Sequence, residues 1–261
     1  MTDKIITSQN GPIARIIFNQ PEKRNAVSFE MWQAVIEAAT RFAADPSVRI
    51  LILSGAGGKA FVSGADISKF ESERASKEAV ETYNATTAEA YNLVANFPKP
   101  TIAQIDGFCV GGGVALALSC DIRICGTGSQ FAIPAAKLGL GYGYVGIKRL
   151  IDVVGPAFAK EIFFTARRFD AEEARTMGLV NRIVPDGEVE AAAESMAEMI
   201  AANAPMTVNS VKFIVNEAMK PESERDLDAC AARVQACFDS QDYIEGRRAF
   251  LEKRKPGFIG A

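Results

Sequence analysis

The stretch DGFCVGGGVALALSCD, Asp106 to Asp121, decides how the chain is read. An extended apolar segment runs into three consecutive glycines, and the helix they open carries no acid or base before Asp121. Glycines at a helix start leave backbone N–H groups without a Cβ in front of them, and the helix dipole adds to their pull on a negative oxygen. A second glycine turn lies upstream in FVSGAD, Phe61 to Asp66. Two such amides converging on one point form an oxyanion hole. From spacing alone, two tight turns in a packed α/β core fit equally well.

Around this pair the chain alternates strands and helices. ARIIFNQP reads as a strand that ends at Pro21, and Ser28 can cap the helix that follows. Trp32, Val35, Ile36, Ala39 and Phe42 recur along that helix at helical spacing, and Asp45-Pro46 stops it. RILILSG is a buried strand by its branching, and TIAQIDG is the strand that leads into the glycine run. A polar, acidic stretch from Ser68 to Ala90 reads as helical and mobile, and helices are expected around Val145–Val153 and Pro156–Ala166. Asp170 caps a further helix that Gly178 stops, and from Glu188 onward the pattern is helical, with breaks near Pro205 and Pro221. The expected class is α/β, with a core over residues 1–190 and a helical appendage over 191–261.

GAGGKA, Gly55 to Ala60, fits a loose dinucleotide-binding pattern. That pattern needs a helix to start within the glycines, and FVSGADI follows instead as an extended piece. A phosphate-binding Walker loop is also excluded, because Ala60 stands after Lys59 where Ser or Thr is required.

Composition narrows the chemistry further. The chain has 261 residues and a net charge of −3, which disfavours a nucleic-acid partner. The opening residues hold no apolar core of signal-peptide length, and the longest weakly polar run is shorter than the roughly 20 residues of a membrane span. No membrane association is expected, and a cytoplasmic location is. Five cysteines without a CxxC pair point to a reducing compartment. There is no histidine at all, so Ser-His-Asp and Cys-His nucleophilic sites and His-ligated metals are excluded.

FVSGADI, KPTIAQIDGFCVGGGVALALSCDIRI, QFAIPAAKLGL and DAEEARTMGLVNRIV together resemble the enoyl-CoA hydratase/isomerase, or crotonase, superfamily. PEKRNAVS near the start and DYIEGRRAFLEKRKPGF near the end resemble it as well, so the likeness covers the whole chain in order. The resemblance implies a spiral of ββα units, a C-terminal helical trimerisation region, and a homotrimer or a hexamer built as a dimer of trimers. It implies an acyl-CoA thioester as substrate, CoA being part of that substrate and no further cofactor. The amides of Ala65 and Gly112 would hold the thioester oxygen. Lys23 and Arg24 would lie near the CoA phosphates, with Ser63, Asp66 and Gly111 in the same binding set. Phe250 and Lys253 would reach the CoA of a neighbouring subunit.

Two departures from the family are informative. Its hydratases carry one glutamate two residues after the triple glycine and another directly after the proline of the F-x-x-P strand. This chain has Ala115 and Ala135 there. Adding water across a double bond needs acid–base groups worth about 10²–10⁴ in rate each, so efficient hydration is disfavoured. Loss of CO₂ from a malonyl-type thioester forms an enolate directly and needs only the oxyanion hole and a later proton. GYGYVGIKRL resembles the corresponding segment of methylmalonyl-CoA decarboxylases, which places Tyr142 at their tyrosine position. Those enzymes carry His where this chain has Ala65, and Glu where it has Ala115. Two other readings remain open: a hydratase or isomerase using a displaced acid, and an acyl-CoA binding protein without catalysis. Tyr144, Lys137, Glu161, Glu71, Glu81 and Tyr83 are further candidates for the acyl pocket, whereas Asp121 reads as a structural tie.

Overall fold

The computed structural model describes residues 2–69 and 75–261. Two sheets organise the first two-thirds of the chain. The larger runs in the order β1 (Ile5–Asn10), β2 (Ile13–Phe18), β3 (Ile50–Gly55), β5 (Thr101–Ile105), β7 (Ile122–Gly126), β10 (Arg182–Val184). Only its β1–β2 hairpin is antiparallel; the other pairings are parallel. The smaller sheet runs β4 (Ala60–Val62), β6 (Phe108–Val110), β8 (Gln130–Ala132), β9 (Phe169–Asp170).

Each of β3, β5 and β7 sits in the large sheet, and the strand after it turns into the small one. Helices α2 (Lys77–Ala95), α3 (Gly112–Ser119) and α4 (Tyr144–Thr165) close these three ββα turns. Parallel strands need such crossovers, and a sheet covered on both faces reads as unbroken apolar runs, as ILILSG does. Phe18, Phe61, Phe131 and Phe169 fill the space between the layers, with Trp32 from α1 (Phe29–Ala44) meeting Phe18 edge-on at 6.2 Å.

Most expected elements form, with local differences. Ser28 stands at the N-cap of α1, yet its Oγ lies 3.4 Å from Glu30 Oε1 and makes no cap bond. Asp170 does cap α5 (Ala171–Thr176), in a reciprocal box with Glu173. The expected break in α4 falls at Gly155, whose φ of +76° interrupts the helix before Pro156. Ser76 caps α2 through the Ala79 N–H, and the expected acidic helix runs on past Ala90 to Ala95.

Helix α6 (Val189–Ala201) spans the expected domain boundary at residue 190. Its Val189, Ala193, Met196 and Ala197 pack on Ile13, Ile50, Ile52, Ile102 and Ile124 of the large sheet. Burying a Val or Met side chain contributes about 1.5–3 kcal/mol, so this helix is held to the core. Beyond it, α7 (Pro205–Ala218), α8 (Leu227–Asp239) and α9 (Gln241–Leu251) surround an apolar cavity of about 820 Å³. Val211, Phe238, Phe250 and Leu251 line that cavity and are also exposed.

The last residues are tied down by ion pairs. Glu245 accepts from both terminal nitrogens of Arg254, at 2.6 and 2.9 Å, and from the Gly257 N–H at 2.9 Å. Arg254 and that N–H together hold the Glu245 carboxyl down at about 2, against an ordinary 4.5. A carboxyl depressed on folding contributes stability that is fully present above pH 4.5 and lost as pH falls towards 2. Hydrogen exchange should therefore show the segment from 252 to 261 loosening between pH 4.5 and 2. Glu245→Gln should abolish that pH dependence.

Candidate active site

The two glycine turns touch. Gly64 adopts φ +104°, and a Cβ placed on it would lie 3.9 Å from the Gly112 nitrogen. The first turn is locked by a backbone bridge, in which the Val27 N–H donates to Gly64 O and the Asp66 N–H donates to Val27 O. This pairing turns the Ala65 N–H away from the bridge. The Gly112 N–H begins α3 and so has no partner inside that helix. Among the described residues, neither amide donates to a protein acceptor.

The three glycines answer to different constraints. Gly111 sits at φ +55° and its N–H donates to Ala132 O at 2.8 Å, which fixes the turn. A Cβ on Gly112 would stand 2.9 Å from Tyr91 Oη. A Cβ on Gly113 would be driven into the carbonyl oxygen of Val62. The far end of α3 is held by the buried Arg123, whose Nη1 donates to Cys120 O at 2.6 Å, a cation on the negative end of the helix dipole.

Beside α3 lies a cavity of about 460 Å³, lined among others by Thr87, Tyr91, Ala115, Leu118, Tyr142 and Arg149. No acid and no histidine lines it among the described residues. Thr87 Oγ1 is buried there without a partner. Arg149 donates to Ser119 Oγ at 2.9 Å and to Asn92 Oδ1 at 3.3 Å, and no carboxylate pairs with it among the described residues. Tyr142 packs edge-on against Phe163 at 4.9 Å, and burial raises its phenol above the ordinary value. Ala115 faces the cavity, but Ala135 is buried in the short helical turn Pro134–Leu138 and does not line it.

The remaining sequence candidates divide clearly. Lys23, Ser63 and Asp66 cluster at the Gly64 turn: Lys23 Nζ donates to Asp66 Oδ2 at 2.8 Å and Ser63 Oγ donates to Lys23 O at 3.3 Å. Burial pushes the Asp66 carboxyl up, but hydrogen bonds from Lys23 and Ser68 outweigh it and leave the group below its ordinary value. Arg24 stacks over Phe108 at 4.8 Å. Phe250 and Lys253 lie at the end of α9, where Phe250 lines the apolar cavity of the C-terminal helices.

Asp121 accepts from Thr101 N–H, Thr101 Oγ1 and Lys212 Nζ, the structural tie expected of it. Glu81 points outward beside Lys77, Tyr83 is buried against Phe29, and Glu161 pairs with Arg167 at 2.7 Å. Tyr144 and Lys137 are exposed, and Glu71 lies outside the described residues. Burial pushes the Cys120 thiol up to about 12 and raises Cys109 as well, so neither is a thiolate nucleophile at neutral pH. Among the described residues no group of His, Cys, Asp and Glu could hold a metal ion, and no helix is long and apolar enough to cross a membrane.

The arrangement of two touching glycine turns on a ββα spiral is that of an acyl-CoA enzyme fold. The chain belongs to the enoyl-CoA hydratase/isomerase family, whose model matches residues 8–261. It is 36% identical over 257 residues to Crotonyl-CoA hydratase of Syntrophomonas wolfei, with 98% of each chain covered. It is 33% identical over 265 residues to Carnitinyl-CoA dehydratase of Salmonella typhi, with 100% of each covered. Among solved structures, an enoyl-CoA hydratase/carnithine racemase from Magnetospirillum magneticum superposes with a TM-score of 0.93 at 37% identity, covering 100% of this chain and 97% of that one. The fold is therefore the crotonase type. The three bear the names of a hydratase, a dehydratase and a hydratase/racemase, and none is named a decarboxylase.

Proposed function

We propose that the protein binds an acyl-CoA thioester with its carbonyl oxygen between the Ala65 and Gly112 amides, and catalyses a reaction that passes through the thioester enolate without a carboxylate base. The observation that carries this reading is a cavity with no acid in its lining among the described residues, whose Ala115 wall lies one helical turn along α3 from the unpaired Gly112 amide. Each such donor is worth about 2.7–4 kcal/mol to a developing oxyanion. Loss of CO₂ from a malonyl-type acyl group meets those conditions. The enolate's later proton then comes from water or a phenol, and Tyr142 is one phenol in the cavity wall. The Arg149 guanidinium, which pairs with no carboxylate among the described residues, and the partnerless Thr87 hydroxyl suit a polar acyl group better than a plain alkyl one.

Lys23, Arg24, Ser63, Asp66 and Gly111 would carry the CoA moiety past the Gly64 turn. The exposed apolar faces of α7, α8 and α9 would bury one another in a homotrimer or a dimer of trimers, bringing Phe250 and Lys253 to a neighbour's CoA. The second reading is enoyl-CoA hydration, favoured by the names of the relatives at 36% and 33% identity.

Mass spectrometry of the CoA products formed from methylmalonyl-CoA and crotonyl-CoA separates the two. Loss of CO₂ from the first is the expected result. Gain of water on the second at enzymatic rate, with the first unchanged, would overturn the decarboxylase reading.

A further inference from the structure

We propose that Tyr91 is a catalytic residue of this site, the phenol that delivers the proton to the α-carbon of the thioester enolate. This inference rests on the enolate reading above. Tyr91 lies in α2, on the face that Val80, Asn84, Thr87 and Ala88 present to the cavity at helical spacing. Its ring meets Trp32 edge-on at 5.1 Å, which fixes where the hydroxyl points. That hydroxyl donates to Gly112 O at 3.2 Å and stands 2.9 Å from the position of a Gly112 Cβ. A Cβ is two bonds from its own amide nitrogen, so the Tyr91 hydroxyl borders the Gly112 N–H that would hold the thioester oxygen.

Among the described residues of the cavity wall, Tyr91 is the phenol anchored at Gly112. Tyr142 is held on the α4 side, against Phe163 and over Gly146. Ala115 has no proton to give. Desolvation, the phenols of Tyr142 and Tyr83, and the opposing Arg149 leave the Tyr91 hydroxyl well above its ordinary value, so it is protonated at neutral pH. A hydroxyl that rotates about its C–O bond can leave the Gly112 carbonyl and face a bound enolate.

The bond between the α-carbon and the carboxylate breaks, its electron pair enters the thioester enolate, and CO₂ leaves. The Tyr91 O–H then breaks as the enolate's pair returns to carbon, a new C–H bond forms, and water reprotonates the phenolate.

The test is turnover of methylmalonyl-CoA in D₂O by the full chain, with the handedness of the α-deuterated propionyl-CoA measured. The parent protein should give one enantiomer, because a fixed phenol reaches one face of the enolate. Tyr91→Phe should give a racemic product and α-proton exchange into propionyl-CoA slowed about 10²–10⁴-fold, with KM little changed. Tyr142→Phe should keep a single enantiomer. Should the Phe variant fail to fold, Tyr91→Met fills the ring site without a hydroxyl and gives the same readout. A single enantiomer from both Tyr91 variants would overturn the role of Tyr91 alone. No CO₂ release and no deuterium uptake by the parent protein would overturn the enolate reading, and the proposal with it.

Discussion

Ala115→Glu is expected to raise the rate of crotonyl-CoA hydration about 10²–10⁴-fold, and the double variant Ala115→Glu/Ala135→Glu to raise it further. The reason is geometric. Ala115 is on the cavity side of α3, one helical turn after the free Gly112 amide. A carboxylate there would reach the double bond of a substrate whose carbonyl is held by that amide. The resemblance places the family's glutamate at this position and implies that the rest of the machinery is shared. Ala135 is a harder site. It is buried, its carbonyl already accepts from the Leu140 N–H at 3.0 Å, and it does not line the cavity in this structure. Glutamate at that position would be desolvated, which raises its pKa and suits a general acid, but it must displace packed neighbours. The single Ala115 variant is therefore the cleaner test. Hydration measured by loss of the enoyl absorbance should rise with little change in thermal stability. If the parent protein already hydrates crotonyl-CoA as fast as the variant, the two alanines do not limit the reaction, and enolate chemistry without a carboxylate base is overturned.

The glycine turns were legible in the sequence because a backbone constraint leaves a residue-specific mark. Gly64, Gly111 and Gly113 occupy places where a side chain is strained or excluded, so the letters themselves announce the turns. The ββα alternation was legible for a similar reason, since buried parallel strands such as Ile50–Gly55 must be apolar on both faces. What escaped was anything decided by which side of a helix meets a pocket. Tyr91 and Tyr83 lie two turns apart on α2; one lines the cavity and the other is buried against Phe29. No local pattern distinguishes them. The acidic stretch suggested Glu81 as a displaced acid, but the side chain lies outside, beside Lys77. Helix α6 looked like the start of an appendage because its own sequence is amphipathic. Only the isoleucines of four separate strands show that its apolar stripe belongs to the large sheet.

Gly113→Ala should damage both the stability and the activity of the protein. The added Cβ would overlap the carbonyl oxygen of Val62 and come within 2.9 Å of its carbonyl carbon and 3.1 Å of its Cβ. None of these can give way easily. Val62 is fully buried in β4 and paired with Cys109 of β6, and Cys109 is buried as well. The helix must therefore lift from the strand. Gly111, which opens that helix, is anchored by its bond to Ala132 O, so lifting strains the turn and carries the Gly112 N–H away from Ala65. Overpacking of this kind costs about 1–3 kcal/mol or more. A displacement of about 1 Å at a reacting centre can cost roughly 10²-fold in rate. We expect a lowered melting temperature or an insoluble protein, and, where it folds, loss of turnover on every acyl-CoA. Gly111→Ala is the matched control. Nothing lies within 4 Å of its Cβ, so its penalty is that of the backbone alone, whose φ of +55° and ψ of −113° side chains rarely adopt, about 1–3 kcal/mol. Equal melting temperatures and equal turnover for Gly113→Ala and the parent would show that α3 is not seated on β4 as described. Damage from Gly111→Ala as large as from Gly113→Ala would place the constraint in the turn rather than in the contact with Val62.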